Sequence, residues 1–303
     1  MAVPHPRTAR PSGHRAGGGS LGRMTNTDTT NTSATTATTT TATTATTATA
    51  STSTPSPRPP GTGRTNALVI GGASGMGLAL ARALLAEGAE VVIAGRSADR
   101  LAAARAELAR VTGARAGTAV ADISREEDVA ALFDQVGPVD HVAVTAADAN
   151  GVYGPTATVP TGVARAVVGT KVLGAWLVGR YAAGRVTGSI TFTSGINAYR
   201  PNGSNSIMAA ANGALESLAY GLALELAPVR VNVLSPGWVD TDLWDQLGVV
   251  GAARDAAFAD LSARLPARRI GTPDDIAQAF LALMRGGFTT GTVLHVDGGH
   301  RLV

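Results

Sequence analysis

The chain has 303 residues, of which 45% are hydrophobic and 16% charged, with a formal net charge of +3 and no cysteine. The lack of cysteine excludes disulfide frameworks, thiolate metal sites and thiol nucleophiles. The hydrophobic content is sufficient for one large core or two small ones.

Residues 1–63 form a tail whose composition differs from that of the rest of the chain. Between Thr25 and Thr54 it is almost wholly Thr, Ala and Ser, without the large apolar side chains whose burial offsets the entropy of ordering. We therefore expect a disordered tail followed by a single domain over residues 64–303. Three interpretations of the tail stay open: an organellar transit peptide, a flexible extension, or a start codon assigned too early, since Met24 lies downstream.

The basic character of the chain is located in this tail. The tail holds five Arg against one acidic residue, Asp28, a net charge of +4, so the remainder of the +3 chain is close to −1. Nucleic-acid binding requires a basic excess on the folded part, so we predict no nucleic-acid partner. The sequence has no run of 18 or more apolar residues and no secretory signal, which predicts a cytoplasmic protein without a membrane partner.

Short β-branched runs alternate with Ala-rich helical stretches from Asn66 onward. Such alternation is typical of repeated β-α-β units around a parallel sheet. In chain order, the predicted strands cover residues 67–70, 91–94, 116–120, 139–144, 189–193, 229–234 and 292–296. The predicted helices cover residues 78–87, 101–111, 126–136, 163–183, 207–227 and 274–284. The predicted fold class is α/β: a Rossmann-type, doubly wound, parallel seven-stranded sheet in a three-layer α/β/α arrangement.

The segment 238–270 lies outside this alternation and is rich in large apolar residues. These residues are Trp238, Leu243, Trp244, Leu247 and Phe258. Because such sheets bind ligands beyond the carboxyl ends of their strands, this segment is predicted to be a substrate lid. The alternative is a surface helical excursion packed on its own core.

A glycine-rich turn, Gly71 to Gly77, follows the first strand and opens the first helix. Gly71 would allow the tight turn, Gly75 the approach of a pyrophosphate, and Gly77 close contact between helix and strand. The unpaired N–H groups of the helix N-terminus would add donors for the phosphates. The turn therefore predicts a dinucleotide site that also includes Ala73, Ser74 and Met76.

With this spacing the chain resembles the short-chain dehydrogenase/reductase family, whose turn reads Thr-Gly-x-x-x-Gly-x-Gly; here Ile70 stands in the first place. The resemblance covers about residues 65–299 and includes further ordered motifs. These are Asp122-Ile123, Ser235-Pro236-Gly237 followed by Val239 and Thr241, and Val296-Asp297-Gly298-Gly299. In the family the Asp holds the adenine, and the Pro-Gly segment and the Thr border the nicotinamide. The family's Asn-Asn-Ala-Gly is replaced by Val144-Thr145-Ala146-Ala147, in which Ala146 keeps its place at the cofactor.

The end of the second strand bears on cofactor choice. A carboxylate there would accept hydrogen bonds from the ribose 2′-OH of NAD, but this chain has Gly95-Arg96-Ser97. The guanidinium of Arg96 suits the additional phosphate of NADP. We therefore predict NADP (NADPH) as cofactor, held by Arg96 and Ser97. The alternative is an Arg96 that lies in solvent.

The catalytic positions depart from the family pattern. The resemblance implies a Tyr that transfers the proton and, four residues later, a Lys that lowers the Tyr pKa; here Met208 and Asn212 occupy these positions. Ser194 fits the Ser that orients the substrate oxygen. The family's Asn in the preceding long helix corresponds to Lys171, so amide and ammonium have exchanged helices. The predicted catalytic set is Ser194, Lys171, Asn212 and Met208. Lys171, partnered by Ser194, is expected to reach the nicotinamide ribose or the substrate oxygen and could itself supply the proton; the alternative is a surface Lys171.

Three functions stay open from the sequence. The first is an NADP(H)-dependent oxidoreductase that reduces a small-molecule carbonyl or imine. The second is a non-redox enzyme on the same fold, a dehydratase or cyclase, and the third is a catalytically silent NADP-binding sensor. His295 and His300 have no acidic or cysteine cluster near them in sequence, so we predict no metal.

The resemblance also implies a homodimer or homotetramer that pairs the two long helices. The side chains expected on the paired faces are Val167, Gly174, Leu215, Leu218 and Leu222. The alternative is that they pack on their own sheet. Four polar loop residues are further candidates for the proton donor: Asn150, Tyr153, Tyr199 and Ser206.

Overall fold

A computed structural model describes residues 64–303, and the predicted tail of residues 1–63 lies outside the described part. Seven strands form one parallel sheet in the order β3-β2-β1-β4-β5-β6-β7. The strands are β1 Asn66–Ile70, β2 Glu90–Gly95, β3 Gly117–Val120, β4 Val139–Val144, β5 Val186–Thr193, β6 Arg230–Pro236 and β7 Val293–Val296. The predicted Rossmann-type fold with seven parallel strands is confirmed.

Helices cover both faces of the sheet. They are α1 Gly75–Ala86, α2 Ala98–Thr112, α3 Glu126–Val136, α4 Thr161–Val168, α5 Gly174–Ala182, α6 Ser206–Glu225, α7 Leu243–Gln246, α8 Gly251–Arg264 and α9 Pro273–Arg285. The single helix predicted over residues 163–183 is divided by a π-helical segment, Gly169–Leu173. Such segments are rare and frequently lie at functional sites, and this one carries Lys171.

The strands are buried on both faces because successive side chains point to opposite sides of the sheet. Leu68 and Ile70 of β1 join the core beneath α3, α5 and α6. Val69, between them, joins the core beneath α1, α2 and α9. Two apolar layers therefore hold the three-layer arrangement together.

The strand order reverses at β1, which pairs with β2 on one side and β4 on the other. The loops that leave the carboxyl ends of β1 and β4 consequently diverge and open a crevice. In open parallel sheets this is where ligands bind.

The two long helical stretches, Thr161–Ala182 and Ser206–Glu225, are apolar and long enough to cross a membrane by length and composition. Both contribute side chains such as Leu177, Val178 and Leu215 to the core on one side of the sheet. In this fold they therefore act as core helices.

The side chains expected at a helix interface between subunits do not lie on the surface of the domain. Val167, Gly174, Leu215 and Leu222 are buried and Leu218 is half-buried, so they pack within the domain. The outer faces of α5, with the end of the π-helical segment before it, and α6 carry a different apolar set: Leu173, Trp176, Tyr220 and Leu224, of which Leu224 is 83% exposed. Leu215 and Leu222 pack on the sheet, as the alternative interpretation expected, whereas Val167 packs in the cluster that contains Met208; the homo-oligomer stays a prediction.

Candidate active site

The glycine turn between β1 and α1 has a backbone that other residues would not fit. Gly71 has φ +88° and Gly75 has φ +52°, a region that L side chains rarely adopt. A Cβ on Gly77 would lie 2.4 Å from the Gly71 carbonyl oxygen and 2.6 Å from Thr145 Oγ1. The turn is therefore held tightly against the end of β4.

A cleft of about 330 Å³ opens beside this turn. Its lining includes most of the predicted cofactor residues: Gly71, Ala73, Ser74, Gly75, Met76, Arg96, Ser97, Asp122, Ile123, Ala146 and Thr241. Gly77 lies beneath the turn, and Pro236, Gly237 and Val239 line an adjoining cavity. The sheet edge thus brings residues from six parts of the chain to one crevice.

Two guanidinium groups stand at the end of the cleft near α2. Arg96 Nη2 is 2.8 Å from Asp148 Oδ1, so Arg96 is ion-paired while 56% of its side chain is exposed. Arg100 Nη2 donates to Ser74 Oγ at 2.9 Å. Ser97 is the N-cap of α2, since its side chain accepts a hydrogen bond from the Arg100 N–H.

The cleft fits a nicotinamide dinucleotide. The positive-φ glycines allow a pyrophosphate to approach the backbone, and the N-terminus of α1 supplies donors. Arg96 and Arg100 supply positive charge where the adenosine phosphate of NADP would lie. Asp148, from the loop after β4, places a carboxylate next to Arg96. Its negative charge opposes the binding of a phosphate at this end of the cleft.

A second cavity of about 440 Å³ shares Met76, Thr145, Ala147 and Thr241 with the cleft. We call it the inner cavity. Its floor contains all four predicted catalytic residues: Lys171, Ser194, Met208 and Asn212. The inner cavity is thus continuous with the cofactor cleft.

Lys171 is buried at the floor of the inner cavity, with 6% of its surface exposed. Its ammonium donates to the carbonyl oxygens of Thr193, at 2.9 Å, and Ser194, at 3.4 Å. Burial lowers the pKa of Lys171 to about 8, an effect that the Glu216 carboxylate opposes. An ammonium has three donors. One hydrogen therefore has no partner among the described residues.

Ser194 takes part in a hydrogen-bond network that includes Glu216, Tyr199 and Lys171. Its Oγ donates to Glu216 Oε1 at 2.6 Å, and the Tyr199 hydroxyl donates to Glu216 Oε2 at 2.5 Å. Lys171 contacts the Ser194 carbonyl rather than its hydroxyl. The expected side-chain partnership between Lys171 and Ser194 is therefore replaced by a partnership between Ser194 and Glu216.

The other two floor residues differ in chemistry. Asn212 is 2% exposed, and its Oδ1 has no hydrogen-bond partner within the described part of the chain. Met208 is 3% exposed and packs with Ala149, Val152 and Val167. Asn212 therefore offers an unused acceptor, whereas Met208 offers only apolar surface.

The segment 238–270 covers the inner cavity with aromatic side chains. Trp238, Leu243, Trp244 and Leu247 line the cavity. The ring centroid of Trp244 lies 4.6 Å from that of Trp238, with the rings tilted by 59°, and 5.2 Å from that of Phe258, which meets it edge-on. The segment thus both lines the cavity and packs on its own aromatic cluster, and its role as a substrate lid stays a prediction.

Comparison with known proteins identifies the fold's family. A family model described as enoyl-(acyl carrier protein) reductase matches residues 71–301. Short-chain dehydrogenase/reductase ATR9 of Stachybotrys chlorohalonatus is 34% identical over 245 residues, covering 77% of this chain and 95% of that protein. This chain belongs to the short-chain dehydrogenase/reductase family.

Solved structures of short-chain dehydrogenases show the same architecture. The MalC reductase/Diels-Alderase from Malbranchea aurantiaca has a TM-score of 0.73 at 30% identity, covering 79% of this chain and 97% of that one. A small-chain dehydrogenase in complex with NADPH has a TM-score of 0.67 at 32% identity, covering 80% of this chain and 100% of that one. The relatives include oxidoreductases, which supports an enzymatic role for this family member.

Arg100 and Glu216 belong to the site, and the sequence predicted neither of them. Arg100 lies in the first turn of α2, where a basic side chain is ordinarily expected to lie in solvent. Glu216 follows Met208 and Asn212 at a spacing of four on α6, a spacing that places all three on one helix face. This spacing is the sequence feature that could have indicated Glu216 as a site residue.

The loop residues considered as proton donors do not all lie in the inner cavity. Tyr153 lines the inner cavity, and burial raises the pKa of its hydroxyl. Ser206 bonds to Thr156 at the surface, and Asn150 is exposed. Within residues 64–303, no group of three or more His, Asp or Glu residues is placed to hold a metal ion.

Proposed function

We propose that this chain is an NADP(H)-dependent reductase of a small-molecule carbonyl or imine, in which Lys171 supplies the proton. The observation that carries the proposal is the buried Lys171 ammonium, which has a hydrogen to spare, at the floor of a cavity continuous with the cofactor cleft. Lys171 is also the only lysine among 303 residues, all other basic side chains except histidine being Arg.

The chain's own residues would bind the dinucleotide and supply the proton. Arg96, Arg100 and the glycine turn bind the phosphates of the dinucleotide, as the NADPH complex of a structural relative supports. NADPH, when bound, supplies the hydride. The Lys171 ammonium donates its spare hydrogen to the carbonyl oxygen or imine nitrogen, polarises the double bond, and then releases the proton to that atom.

A pKa of about 8 suits Lys171 to this role. A general acid works best when its pKa lies near the working pH, because it is then protonated yet releases its proton readily. Asn212 Oδ1 supplies an acceptor for a hydroxyl or N–H group bound at the floor. The overall reaction adds one hydride and one proton to the substrate double bond.

The walls of the inner cavity favour an apolar, flat substrate. Trp238, Trp244, Tyr153 and Met208 present rings and a thioether to the cavity. Such surfaces bind planar apolar groups through stacking and dispersion. Lys171 is the single charged side chain among the residues that line the inner cavity. A neutral molecule with one reducible C=O or C=N group fits this lining.

The test is consumption of reduced nicotinamide by the purified full chain. Absorbance at the reduced-nicotinamide band would be followed with aromatic ketones, bicyclic ketones and cyclic imines, with NADPH and NADH compared at equal concentration. We expect oxidation with at least one class and a preference for NADPH. Tight NADPH binding in calorimetry without oxidation by any class would contradict the reductase proposal.

A second candidate is a non-redox cyclase on the same fold. It is supported by Met208, which has no transferable proton, and by the aromatic walls that could hold a folded substrate. A structural relative, MalC, is a reductase/Diels-Alderase. Product formation without loss of NADPH, detected by mass spectrometry of the same reactions, would favour this candidate.

The exposed outer faces of α5 and α6 support self-association. Leu173, Trp176, Tyr220 and Leu224 are large apolar residues between 40% and 83% exposed on neighbouring helices. Exposed apolar patches of this kind are typical of protein interfaces. A homodimer formed through these faces, or a homotetramer built from two such pairs, is therefore part of the proposal.

A further inference from the structure

Glu216 is a buried carboxylate that no cofactor or substrate requirement explains. It is 6% exposed, on the face of α6 that also carries Met208 and Asn212. An ionised carboxylate in such a place is costly unless it is paired or hydrogen-bonded. Both of its oxygens accept hydrogen bonds from hydroxyl groups, of Ser194 and Tyr199.

Glu216 and Lys171 meet at one residue. Glu216 binds the side-chain hydroxyl of Ser194, and Lys171 binds the carbonyl oxygen of the same residue. Ser194 lies where the chain leaves β5 and enters the cavity floor. The two charged groups therefore both bind Ser194, Glu216 of α6 through its hydroxyl and Lys171 of the π-helical segment through its carbonyl oxygen.

We propose that Glu216 is a positioning residue that sets the protonation state of Lys171 through its buried charge and its hold on Ser194. The proposal rests on the proposed function insofar as Lys171 is the proton source. Its physical content, a coupling between two buried charges, is independent of turnover. The Glu216 charge favours the ammonium, in opposition to burial, which favours the neutral amine.

Other titratable groups lie near Glu216, and their effect on the titration of Lys171 has to be distinguished from that of Glu216. Tyr199 and Tyr220 lie near Glu216, and His295 packs edge-on against Tyr199 at 4.6 Å. Asp297 and Arg301 act on His295 from the C-terminal segment. Burial lowers the pKa of His295, and burial together with the hydrogen bond to Glu216 raises that of Tyr199. Both groups are therefore neutral over the range in which Lys171 titrates.

The single lysine makes the test direct. Protein grown with lysine labelled at Cε with carbon-13 gives one side-chain resonance, because Lys171 is the only lysine in the chain. Its chemical shift is followed against pH without cofactor or substrate. For Glu216→Gln we expect the midpoint to fall by about one pH unit, the lower end of what removal of a neighbouring opposite charge produces.

Two further variants separate charge from structure. Glu225→Gln removes an exposed carboxylate near the end of the same helix and should leave the midpoint unchanged. Tyr199→Phe keeps the Glu216 charge but removes a hydrogen bond that partly neutralises it, so the midpoint should rise. Tyr199 is 43% exposed, so this variant is expected to fold even where Glu216→Gln does not.

The outcomes distinguish this inference from the reductase proposal. A downward shift for Glu216→Gln and an upward shift for Tyr199→Phe would support the coupling even in a protein that oxidises no NADPH. An unchanged midpoint in Glu216→Gln, or shifts of the same sign in both variants, would overturn it. If the enzyme turns over, the basic limb of its pH-rate profile should move with the resonance midpoint in each variant.

Discussion

Arg96 and Asp148 leave different strands of the sheet, yet their side chains form an ion pair of 2.8 Å beside the cofactor cleft. Asp148 is held in place from its other oxygen, which accepts a hydrogen bond from Thr170 Oγ1 at 2.7 Å. The carboxylate therefore competes with any phosphate for the Arg96 guanidinium.

Replacing Asp148 by Asn should strengthen NADPH binding. Asn keeps an acceptor oxygen for Thr170 but removes the charge that repels the phosphate and occupies Arg96. We expect the Kd for NADPH to fall by about twofold to fivefold, the upper part of the range for one exposed charge pair, and the Kd for NADH to change little. Fluorescence titration at low salt would measure both. Asp260→Asn, which breaks the exposed pair with Arg264, is the matched control, and an equal gain there would refute the argument.

Removing the amine of Lys171 should abolish proton transfer while sparing the cofactor cleft. Lys171→Met keeps the length of the side chain, and we expect kcat to fall by a factor of about 10² to 10⁴, the usual contribution of a general acid. Lys171→Arg keeps the charge but should not rescue the rate, because a guanidinium does not release its proton near neutral pH. NADPH affinity, measured by calorimetry, should stay within about twofold in both. A fully active Lys171→Arg would show that charge alone suffices.

Reductase activity should decline at alkaline pH. The ammonium is the form that donates, and burial places the pKa of Lys171 at about 8, so the rate is full below that value and is lost as the pH rises through it. The measurement is kcat between pH 6 and 10 in a constant-ionic-strength buffer. A rate that stays level to pH 10 would contradict Lys171 as the acid.

The glycine turn predicts a stability effect with a close control. Gly77→Ala places a Cβ 2.4 Å from a backbone carbonyl oxygen, so the turn must shift, and we expect a loss of roughly 1–3 kcal/mol in the free energy of unfolding together with weaker NADPH binding. Gly162→Ala, also in the first turn of a helix, has no atom within 4 Å of the new Cβ. That variant should melt within about 2 °C of wild type. Equal melting temperatures for the two variants would show that the contact at Gly77 is not rigid.

Self-association should depend on Trp176. The residue is 40% exposed on the outer face of α5, so Trp176→Asp puts a charge into the proposed interface and should yield monomers in sedimentation velocity. Phe288 is fully exposed outside that face, and Phe288→Asp should leave the assembly unchanged. If Trp176→Asp sediments like the wild type, the interface lies elsewhere.

The sequence alone determined the fold and the place of the cofactor cleft. Both follow from local patterns: β-branched runs between Ala-rich helices specify the sheet, and glycines between the first strand and helix specify the turn. The residues named for that site come together because the carboxyl ends of parallel strands meet at one edge. Lys171 and Asn212 could also be named for the active site, since the resemblance to the family implied their positions.

Only the tertiary structure decided which charges meet. Asp148 approaches Arg96 from another loop, and Glu216 takes the Ser194 hydroxyl that the sequence had assigned to Lys171. The helix faces expected to pair between subunits pack inward instead. The physical reason is that periodicity records whether a side chain is apolar and how it is spaced, whereas an ion pair depends on the distance between atoms far apart in the chain. That distance is set by the packing of the strands and helices that carry them.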